Sequence, residues 1–325
     1  MPKRIIDLRS QAPLLDIVSY ARGREPLTPA QRAYVARTVR RVPEVVVKVS
    51  GGARTLAGVE RHLKYMEKKG VSGLETDMDT IAGGSGFARE LAIDWDLDIE
   101  SVKHYSKKAI RGKPPKLVHN IIFSMPVGTS PKKVLEAVRR LALNEWSFEH
   151  RYAMALHTDT PRPHVHVVVK SVSEKGVRLN IKKATLRQWR AQFAQNLRDL
   201  GVAANATERA VRGETRAPKR TSIFRADRRD DSSRMRKRQD VALHLPRGSE
   251  ENPDVGHSVM TRTRLYVASG WRVLAARLRT SGDDMLARDI DAFVDGMPPV
   301  RTETAMLAEH LRSARHREGA PERSH

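Results

Sequence analysis

The sequence has no cysteine, few aromatic residues and no long apolar run. The lack of cysteine excludes disulfides, thiolate zinc sites and cysteine nucleophiles, and it is typical of a chain in a reducing cytosol. No stretch approaches the roughly 18 apolar residues that a membrane span requires. Because the N-terminal segment lacks a continuous apolar core, we expect no secretory signal there. Aromatic residues make up only 5% of the chain, so stacking on nucleic-acid bases must rely on a handful of rings.

Acidic residues are also scarce relative to basic ones. Lys and Arg number 60 against 38 Asp and Glu, which gives a formal net charge of +22. Such an excess destabilises the compact state by self-repulsion unless a polyanion relieves it. Nucleic acid is therefore the first class of partner to consider, and an anionic membrane surface is the second.

Composition divides the 325 residues into four segments. Residues 1–43 are predicted to form a basic helical extension, residues 44–215 a mixed domain, residues 216–262 a charged linker, and residues 263–325 a helical region with a basic tail. The mixed domain predicts an α+β fold, in which a central antiparallel sheet is flanked by helices.

Local signals in the mixed domain predict four strands and three main helices. The strands are expected at 44–50, 117–124, 152–157 and 164–170, and the helices at 56–69, 131–144 and 185–200. Thr55 and Ser130 are expected to cap the first two helices, with Pro131 at the first helical position of the second. The apolar stripe of the third helix is interpreted as core.

The most specific pattern is a group of three closely spaced histidines. Side chains alternate along a strand, so His164 and His166 should point to one side while Val165 enters the core behind them. A hairpin would bring His157 beside this pair on the neighbouring strand. Three neutral imidazoles can then converge on one divalent cation and leave positions open, as catalytic metal sites do. Asp159 is predicted to accept a ring N–H from one ligand and to fix its tautomer.

The alternative is a polar strand face that holds no metal. A His-x-His pair alone favours that alternative, because histidine is common on half-buried strands. A third histidine across a proline-containing turn reverses the preference. The donors do not specify the ion, since imidazole suits zinc, manganese, nickel or iron, whereas magnesium prefers oxygen.

Tyr65 is the candidate nucleophile. At 100° per residue it lies about 140° from the centre of the apolar stripe on its helix, on the same side as Arg61 and Lys68. A free phenol is almost entirely protonated at neutral pH, and neighbouring cations would favour the phenolate that attacks phosphorus. The alternative is a surface tyrosine without a role. Tyr152 is a weaker candidate, because it should face the side of its strand opposite to His157.

These residues together resemble the relaxases of plasmid conjugation and mobilisation, within the HUH endonuclease superfamily, and most nearly the T-DNA border endonuclease type. The resemblance covers residues 44–216 and is carried by VVVKVSGGARTLAGVERHLKYMEKKG, HNIIFSMPVGTS, HTDTPRPHVHVVVK and ERAVRGETR. Tyr65 matches the nicking tyrosine, and His157, His164 and His166 match the metal ligands. A tyrosine before the histidines is the relaxase order, whereas replication initiators of the superfamily have it after them.

The resemblance implies the palm-like sheet of HUH relaxases and a site- and strand-specific activity. Such an enzyme nicks DNA at an origin of transfer by tyrosine transesterification and forms a 5′-phosphotyrosine adduct. The implied cofactor is a divalent cation, with Mg²⁺ or Mn²⁺ first and Zn²⁺ or Ni²⁺ as alternatives. The implied partners are single-stranded DNA, relaxosome accessory proteins and a type IV coupling protein. The expected location is the bacterial cytoplasm, with export alongside the DNA by a type IV secretion system.

DNA contacts are expected from the basic residues and from the family's second block. The predicted DNA-binding residues are Arg61, Lys68, Ser124, Ser130, Arg162, Arg209 and Arg212. The second block contributes a serine near the DNA, which is here either Ser124 or Ser130. A helix N-terminus is an anion site and favours Ser130, although capping alone explains that residue equally well.

Other functions are compatible with parts of the sequence. One is a metal-dependent nuclease that uses activated water, with Tyr65 only structural. Another is a non-catalytic DNA-binding accessory protein whose histidines bind no metal. A rolling-circle replication initiator is disfavoured because Tyr65 precedes the histidines. The C-terminal helices either carry a recognition signal for secretion or form a small accessory or dimerisation domain.

Overall fold

The computed structural model describes most of the chain, namely residues 26–71, 73–78, 80–81, 86–100, 114–214 and 255–300, with a few helical positions within 233–243 and 307–311. The described residues fall into two compact units. The first spans Arg41–Ala206, and the second combines residues up to Arg40 with those from Thr207 onward. The start of the predicted N-terminal extension, most of the predicted linker and the basic tail lie outside the described residues.

The elements with defined bounds in the described part of the chain are seven α-helices, one short 3₁₀ helix (Ala210–Arg212) and six strands. The helices are α1 (Pro29–Val39), α2 (Leu56–Lys69), α3 (Phe87–Asp94), α4 (Pro131–Glu145), α5 (Lys183–Asp199), α6 (Val255–Thr280) and α7 (Asp284–Asp295). The strands are β1 (Val46–Gly51), β2 (Leu74–Thr76), β3 (Thr80–Ile81), β4 (Val118–Ser124), β5 (Tyr152–His157) and β6 (His164–Lys170). Of these helices, none has both the length and the apolar character that crossing a bilayer demands.

One antiparallel sheet forms the centre of the first unit, with the strand order β1-β4-β6-β5-β2-β3. This confirms the predicted α+β fold. The four predicted strands are present, and their ends lie within two residues of the predicted bounds. The hairpin of β2 and β3 was not predicted, because strands of three and two residues are too short to show a period.

The register of the central strands decides which side chains share a face. His164 on β6 pairs with His157 on β5 and with Ser124 on β4, and His166 pairs with Ile122 on β4. Directly paired residues of antiparallel strands point to the same side of the sheet. The three histidines therefore lie on one face, which we call the histidine face.

Helices α4 and α5 cover the opposite face. Trp189, Phe193 and Leu197 of α5 are buried in this core, as the apolar stripe of that helix predicted. Tyr152 is buried in the same core. Its ring therefore lies on the side of β5 away from His157, as strand alternation predicted.

Helix α2 packs on the histidine face. Its residues Val59, Leu63 and Met66 are fully buried together with Ala153 and Ala155 of β5. Because an alanine side chain is only a methyl group, the helix can approach this part of the sheet closely. The histidine face is thus covered over β5, and the end of α2 lies beside the end of that strand.

The predicted caps hold for α2 and only in part for α4. Thr55 Oγ1 accepts a hydrogen bond from the Gly58 N–H at 3.2 Å, and Gly70 ends the helix. Helix α4 begins after Ser130 with Pro131 at its first turn, but the Ser130 side chain makes no capping hydrogen bond. The Ser130 hydroxyl is therefore not used to satisfy the backbone of its own helix.

The second unit joins regions that were predicted to be separate. Helix α1, predicted as part of the N-terminal extension, packs with α6 and α7 around Val35, Trp271 and Phe293. The Trp271 indole donates to the Val211 carbonyl at 3.0 Å. Helix α6 begins at Val255, within the predicted linker. Its start was predicted as linker because its first residues are mostly polar and resemble a tether in composition.

Replacing Gly52 should destabilise the first unit. Gly52 has a φ of +154°, and a Cβ there would overlap the Val118 carbonyl oxygen. We expect Gly52→Ala to lower the free energy of unfolding by about 1–3 kcal/mol, measured by urea denaturation. Gly51→Ala is the matched control, because a Cβ at Gly51 meets nothing within 4 Å. Equal stability of the two variants would contradict this account of the turn.

Candidate active site

The three predicted histidines converge at one end of the sheet. His157 is the last residue of β5, and His164 and His166 open β6. Their candidate ligand nitrogens all lie within 4.8 Å of one another. Ring centroids are 4.4 Å apart for His157 and His166 and 5.2 Å apart for His164 and His166. We call these residues the histidine triad; the hairpin that the sequence predicted brings them together.

Backbone carbonyls orient two of the three rings. His164 Nδ1 lies 3.0 Å from the Arg162 carbonyl, and His157 Nε2 lies 3.2 Å from the Met66 carbonyl. Because a carbonyl can only accept, each of these ring nitrogens must carry the proton. The lone pair then sits on Nε2 of His164 and on Nδ1 of His157. Fixing the tautomer in this way is how proteins prepare histidines to bind a metal.

Burial keeps two imidazoles of the triad neutral. It is the main cause that lowers the pKa of His166 to about 3, with further lowering from His157 and His164. Burial also lowers the pKa of His157, against the opposing effect of the Met66 carbonyl. A neutral imidazole offers the lone pair that a cation requires.

The triad fits a divalent cation. Nδ1 of His157 and Nδ1 of His166 are buried and have no hydrogen-bond partner among the described residues. A buried nitrogen without a hydrogen-bond partner costs folding free energy, so a bound ion or water is expected beside it. Three imidazole nitrogens are a common donor set for divalent transition metals, and they leave further positions open.

Asp159 does not hold a ring N–H as predicted. Its Oδ1 lies 3.8 Å from His164 Nε2, beyond hydrogen-bonding distance and on the side of the unprotonated nitrogen. Its Oδ2 lies 3.9 Å from Lys69 Nζ. The role expected of Asp159 is performed by the two backbone carbonyls, and its carboxylate instead adds negative charge beside the triad. A catalytic role for Asp159 stays a prediction.

Tyr65 lies beside the triad. Its ring centroid is 5.6 Å from that of His157 and 5.8 Å from that of His166, with edge-to-face geometry in both cases. The side chain is 43% exposed, so the phenol is open to a substrate. The position away from the apolar stripe is as predicted, and the long side chain reaches from that flank of α2 to the histidine face.

A fourth histidine, His62, was missed from the sequence. Its ring lies 6.0 Å from the Tyr65 ring and 6.1 Å from the His166 ring. Its Nε2 is buried without a partner among the described residues. Burial, and then the neighbouring His157, lowers the pKa of His62. The available signal was its position three residues before Tyr65, which puts both side chains on adjacent turns of one helix.

The two candidate serines differ in their surroundings. Ser124 is paired with His164 and shares the histidine face. Its hydroxyl donates to the Pro163 carbonyl at 3.2 Å. Ser130 opens α4, which covers the opposite face. The geometry therefore favours Ser124 as the serine nearer to the triad, and its contact with DNA stays a prediction.

The predicted DNA-binding arginines and lysine fall into two groups. Arg61, Lys68 and Arg162 are exposed and form no ion pair within the described ranges. Arg212 is instead engaged in the second unit, where it bonds both carboxylate oxygens of Glu214 and the Thr207 carbonyl. Arg209 is exposed in the same unit. DNA contacts by these residues remain predictions, and Arg212 would have to give up its partners to make one.

A family comparison agrees with the geometry of the triad. Residues 75–202 match the family model described as relaxase, MobA/VirD2-like, nuclease domain. The matched range contains all three histidines of the triad and begins after Tyr65.

Curated relatives show low identity over part of their length. The T-DNA border endonuclease VirD2 of Agrobacterium fabrum (strain C58) is 26% identical over 217 residues, which cover 59% of this chain and 46% of that protein. The VirD2 protein of Rhizobium radiobacter is 28% identical over 199 residues, covering 54% and 44%. That of Rhizobium rhizogenes is 25% identical over 246 residues, covering 66% and 52%. The chain spans about half the length of these relatives.

Binding of Mn²⁺ should stabilise the protein through the triad. At a concentration 100 times its Kd, a ligand that binds only the folded state adds about 2.7 kcal/mol, so the melting temperature of the wild type should rise. His164→Ala should abolish this rise because it removes one of three donors. His119→Ala, a histidine variant at the other end of β4, is the control and should respond like wild type. An equal rise in His164→Ala would locate the binding elsewhere.

Proposed function

We propose that this chain nicks one strand of DNA through Tyr65. The premise is that residues 75–202 form a nuclease domain of the MobA/VirD2-like relaxase family. The observation that carries the proposal is the Tyr65 ring beside the triad, 5.6 Å from the His157 ring between centroids. A nucleophile held this close to a phosphate-binding group makes the attack effectively intramolecular.

In the proposed reaction the Tyr65 phenol oxygen attacks the scissile phosphorus in line with the 3′ oxygen. The bond from phosphorus to the phenol oxygen forms, and the bond from phosphorus to the 3′ oxygen breaks. The phenol loses its proton, and the departing 3′ oxygen gains one. The products are a 5′-phosphotyrosine and a free 3′-OH. Because one phosphodiester replaces another, the step is close to balanced in free energy, and the strand can later be rejoined.

The triad would hold the divalent cation, for which we propose Mg²⁺ or Mn²⁺. When bound, such a cation neutralises charge on the non-bridging oxygens of a phosphate. The chain's own contribution is orientation. The carbonyls of Met66 and Arg162 hold two rings so that their unprotonated nitrogens stay available, which favours a site assembled before the substrate arrives.

Single-stranded DNA would lie along the open part of the histidine face. Helix α2 covers β5, whereas β1 leaves Val46 47% exposed and Lys48 exposed. Lys48 is paired with Ile122, and it therefore points to the same face as the triad. Together with the exposed cations of α2 and of the β5–β6 loop, it offers partners for phosphates next to the scissile one.

The biological setting is proposed from the relatives, which are named as endonucleases of T-DNA borders. By analogy, this chain would act at an origin of transfer for conjugation or mobilisation. It would work with relaxosome accessory proteins and a type IV coupling protein. It would act in the bacterial cytoplasm and be exported with the attached strand.

Tyr65→Phe should abolish the covalent adduct while single-stranded DNA still binds. The variant lacks the attacking oxygen and keeps the ring. The assay uses labelled single-stranded oligonucleotides tiled across the DNA that flanks the gene, with Mn²⁺ or Mg²⁺, and detects protein–DNA adduct on a denaturing gel. Tyr152→Phe makes the same change in the opposite core and should form adduct as the wild type does.

The same gel separates the alternatives. Adduct formed by Tyr65→Phe at the wild-type rate would contradict the assignment of the nucleophile. Cleavage without adduct in both the wild type and Tyr65→Phe would indicate a nuclease that uses activated water. Binding without cleavage would indicate an accessory protein.

Arg162→Ala should weaken the binding of single-stranded DNA and flatten its dependence on salt. Loss of one phosphate contact lowers the slope of log affinity against log salt by about 0.7–1. Fluorescence anisotropy over a series of salt concentrations measures this slope. Arg212→Ala is the contrasting variant. Its side chain is engaged with Glu214, so we expect a lower melting temperature and an unchanged slope. If Arg212→Ala flattened the salt dependence and Arg162→Ala only lowered the melting temperature, Arg212 and not Arg162 would be the phosphate contact.

A further inference from the structure

His62 lies next to the proposed nucleophile and has no part in the proposed reaction. It precedes Tyr65 by one turn of α2, and the two rings are stacked, with centroids 6.0 Å apart and planes 20° apart. The same imidazole lies 6.1 Å from the His166 ring. His62 thus bridges the phenol and the triad.

The helix explains why these two rings meet. Side chains three residues apart are neighbours on a helical surface, and they lean towards the N-terminus of the helix. The Tyr65 ring therefore comes back over the turn that carries His62. Leu63, the next residue, is fully buried against the sheet, so His62 stands at the border between the helix–sheet contact and the open surface.

An exposed phenol stays in one rotamer only when other groups pack against it. Tyr65 is 43% exposed, and an exposed side chain without such support exchanges among rotamers in nanoseconds or less. The rings of His157 and His166 lie edge-to-face with the phenol on the side of the sheet, and the imidazole of His62 lies nearly parallel to it along the helix. A half-buried ring on the same helix is a fixed surface against which the phenol can rest.

We propose that His62 is a positioning residue that holds the Tyr65 ring, by stacking, in the rotamer directed at the triad. The inference rests on the proposed role of Tyr65 as nucleophile. The proposed role belongs to the flat ring of His62, because its plane lies within 20° of the plane of the phenol. It makes no use of the buried Nε2. His62 is also outside the set of donors that lie within 4.8 Å of one another, which consists of the triad in the described part of the chain.

A matched pair of variants separates the ring from its bulk. His62→Phe keeps a flat ring at this position, and His62→Leu keeps a similar volume without one. Single-turnover adduct formation at saturating oligonucleotide should be within about threefold of wild type for His62→Phe. It should fall by about 10- to 100-fold for His62→Leu, as small misplacements of a nucleophile do. Oligonucleotide affinity and the Mn²⁺-induced rise in melting temperature should be unchanged in both.

A second measurement does not depend on activity. Nitration of Tyr65 by tetranitromethane, followed by mass spectrometry of its peptide, reports how freely the phenol ring is exposed. We expect faster nitration of Tyr65 in His62→Leu than in the wild type, and a rate like that of the wild type in His62→Phe. Nitration of Tyr266, which lies on the second unit and is 51% exposed, serves as the internal reference.

The outcomes are distinct. Wild-type adduct formation by His62→Leu, or equally slow formation by both variants, would overturn the stacking role. Unchanged nitration of Tyr65 in His62→Leu would overturn it independently. If the wild type forms no adduct on any oligonucleotide, the proposed nicking function fails, and the nitration comparison still decides whether His62 holds the Tyr65 ring.

Discussion

The pairing of β5 with β6, in the register that sets His157 opposite His164, is the constraint on which the site depends. A slip of one residue would turn His164 and His166 to the other face, where Val165 and Val167 are now fully buried. Such a slip would bury two imidazoles among apolar side chains and expose the valines to water. The packing of α4 and α5 on that face therefore holds the register, and the register holds the three donors together.

The second half of the site depends on how closely α2 approaches the sheet. A Cβ on Gly70, where the helix ends, would come within 3.4 Å of the Ala155 Cβ. This closeness lets the Met66 carbonyl reach the His157 ring and carries the phenol of Tyr65 to the triad. One short helix therefore completes a core, orients the His157 ring and carries the proposed nucleophile. A larger side chain at Ala155 would lift all three functions away from the sheet at once.

Local patterns predicted much of this arrangement. Strand alternation gave the face shared by His164 and His166, the caps bounded α2, and the resemblance to relaxases is confirmed by the family match. The features that were not predicted depend on contacts between distant segments or carry no distinctive side chain. The shared core of α1 with the C-terminal helices joins distant segments. The anchors of the triad are carbonyls, which every residue carries. His62 lies beside the apolar stripe of its helix, where a polar residue is common and does not by itself indicate a function. The DNA contact by Arg212 stays a prediction, and the structure adds that Glu214, in the same charged block, engages its side chain.

The backbone and the side chain of Arg162 have separate surroundings. Its peptide oxygen steadies the imidazole of His164, while its guanidinium extends into solvent. No substitution of the side chain, short of one that distorts the loop, removes that oxygen. The side chains of the loop before β6 can therefore vary while the His164 ring stays in place. Under the proposed function, such changes would alter the preference for nucleotide sequence and leave the proposed metal site unchanged.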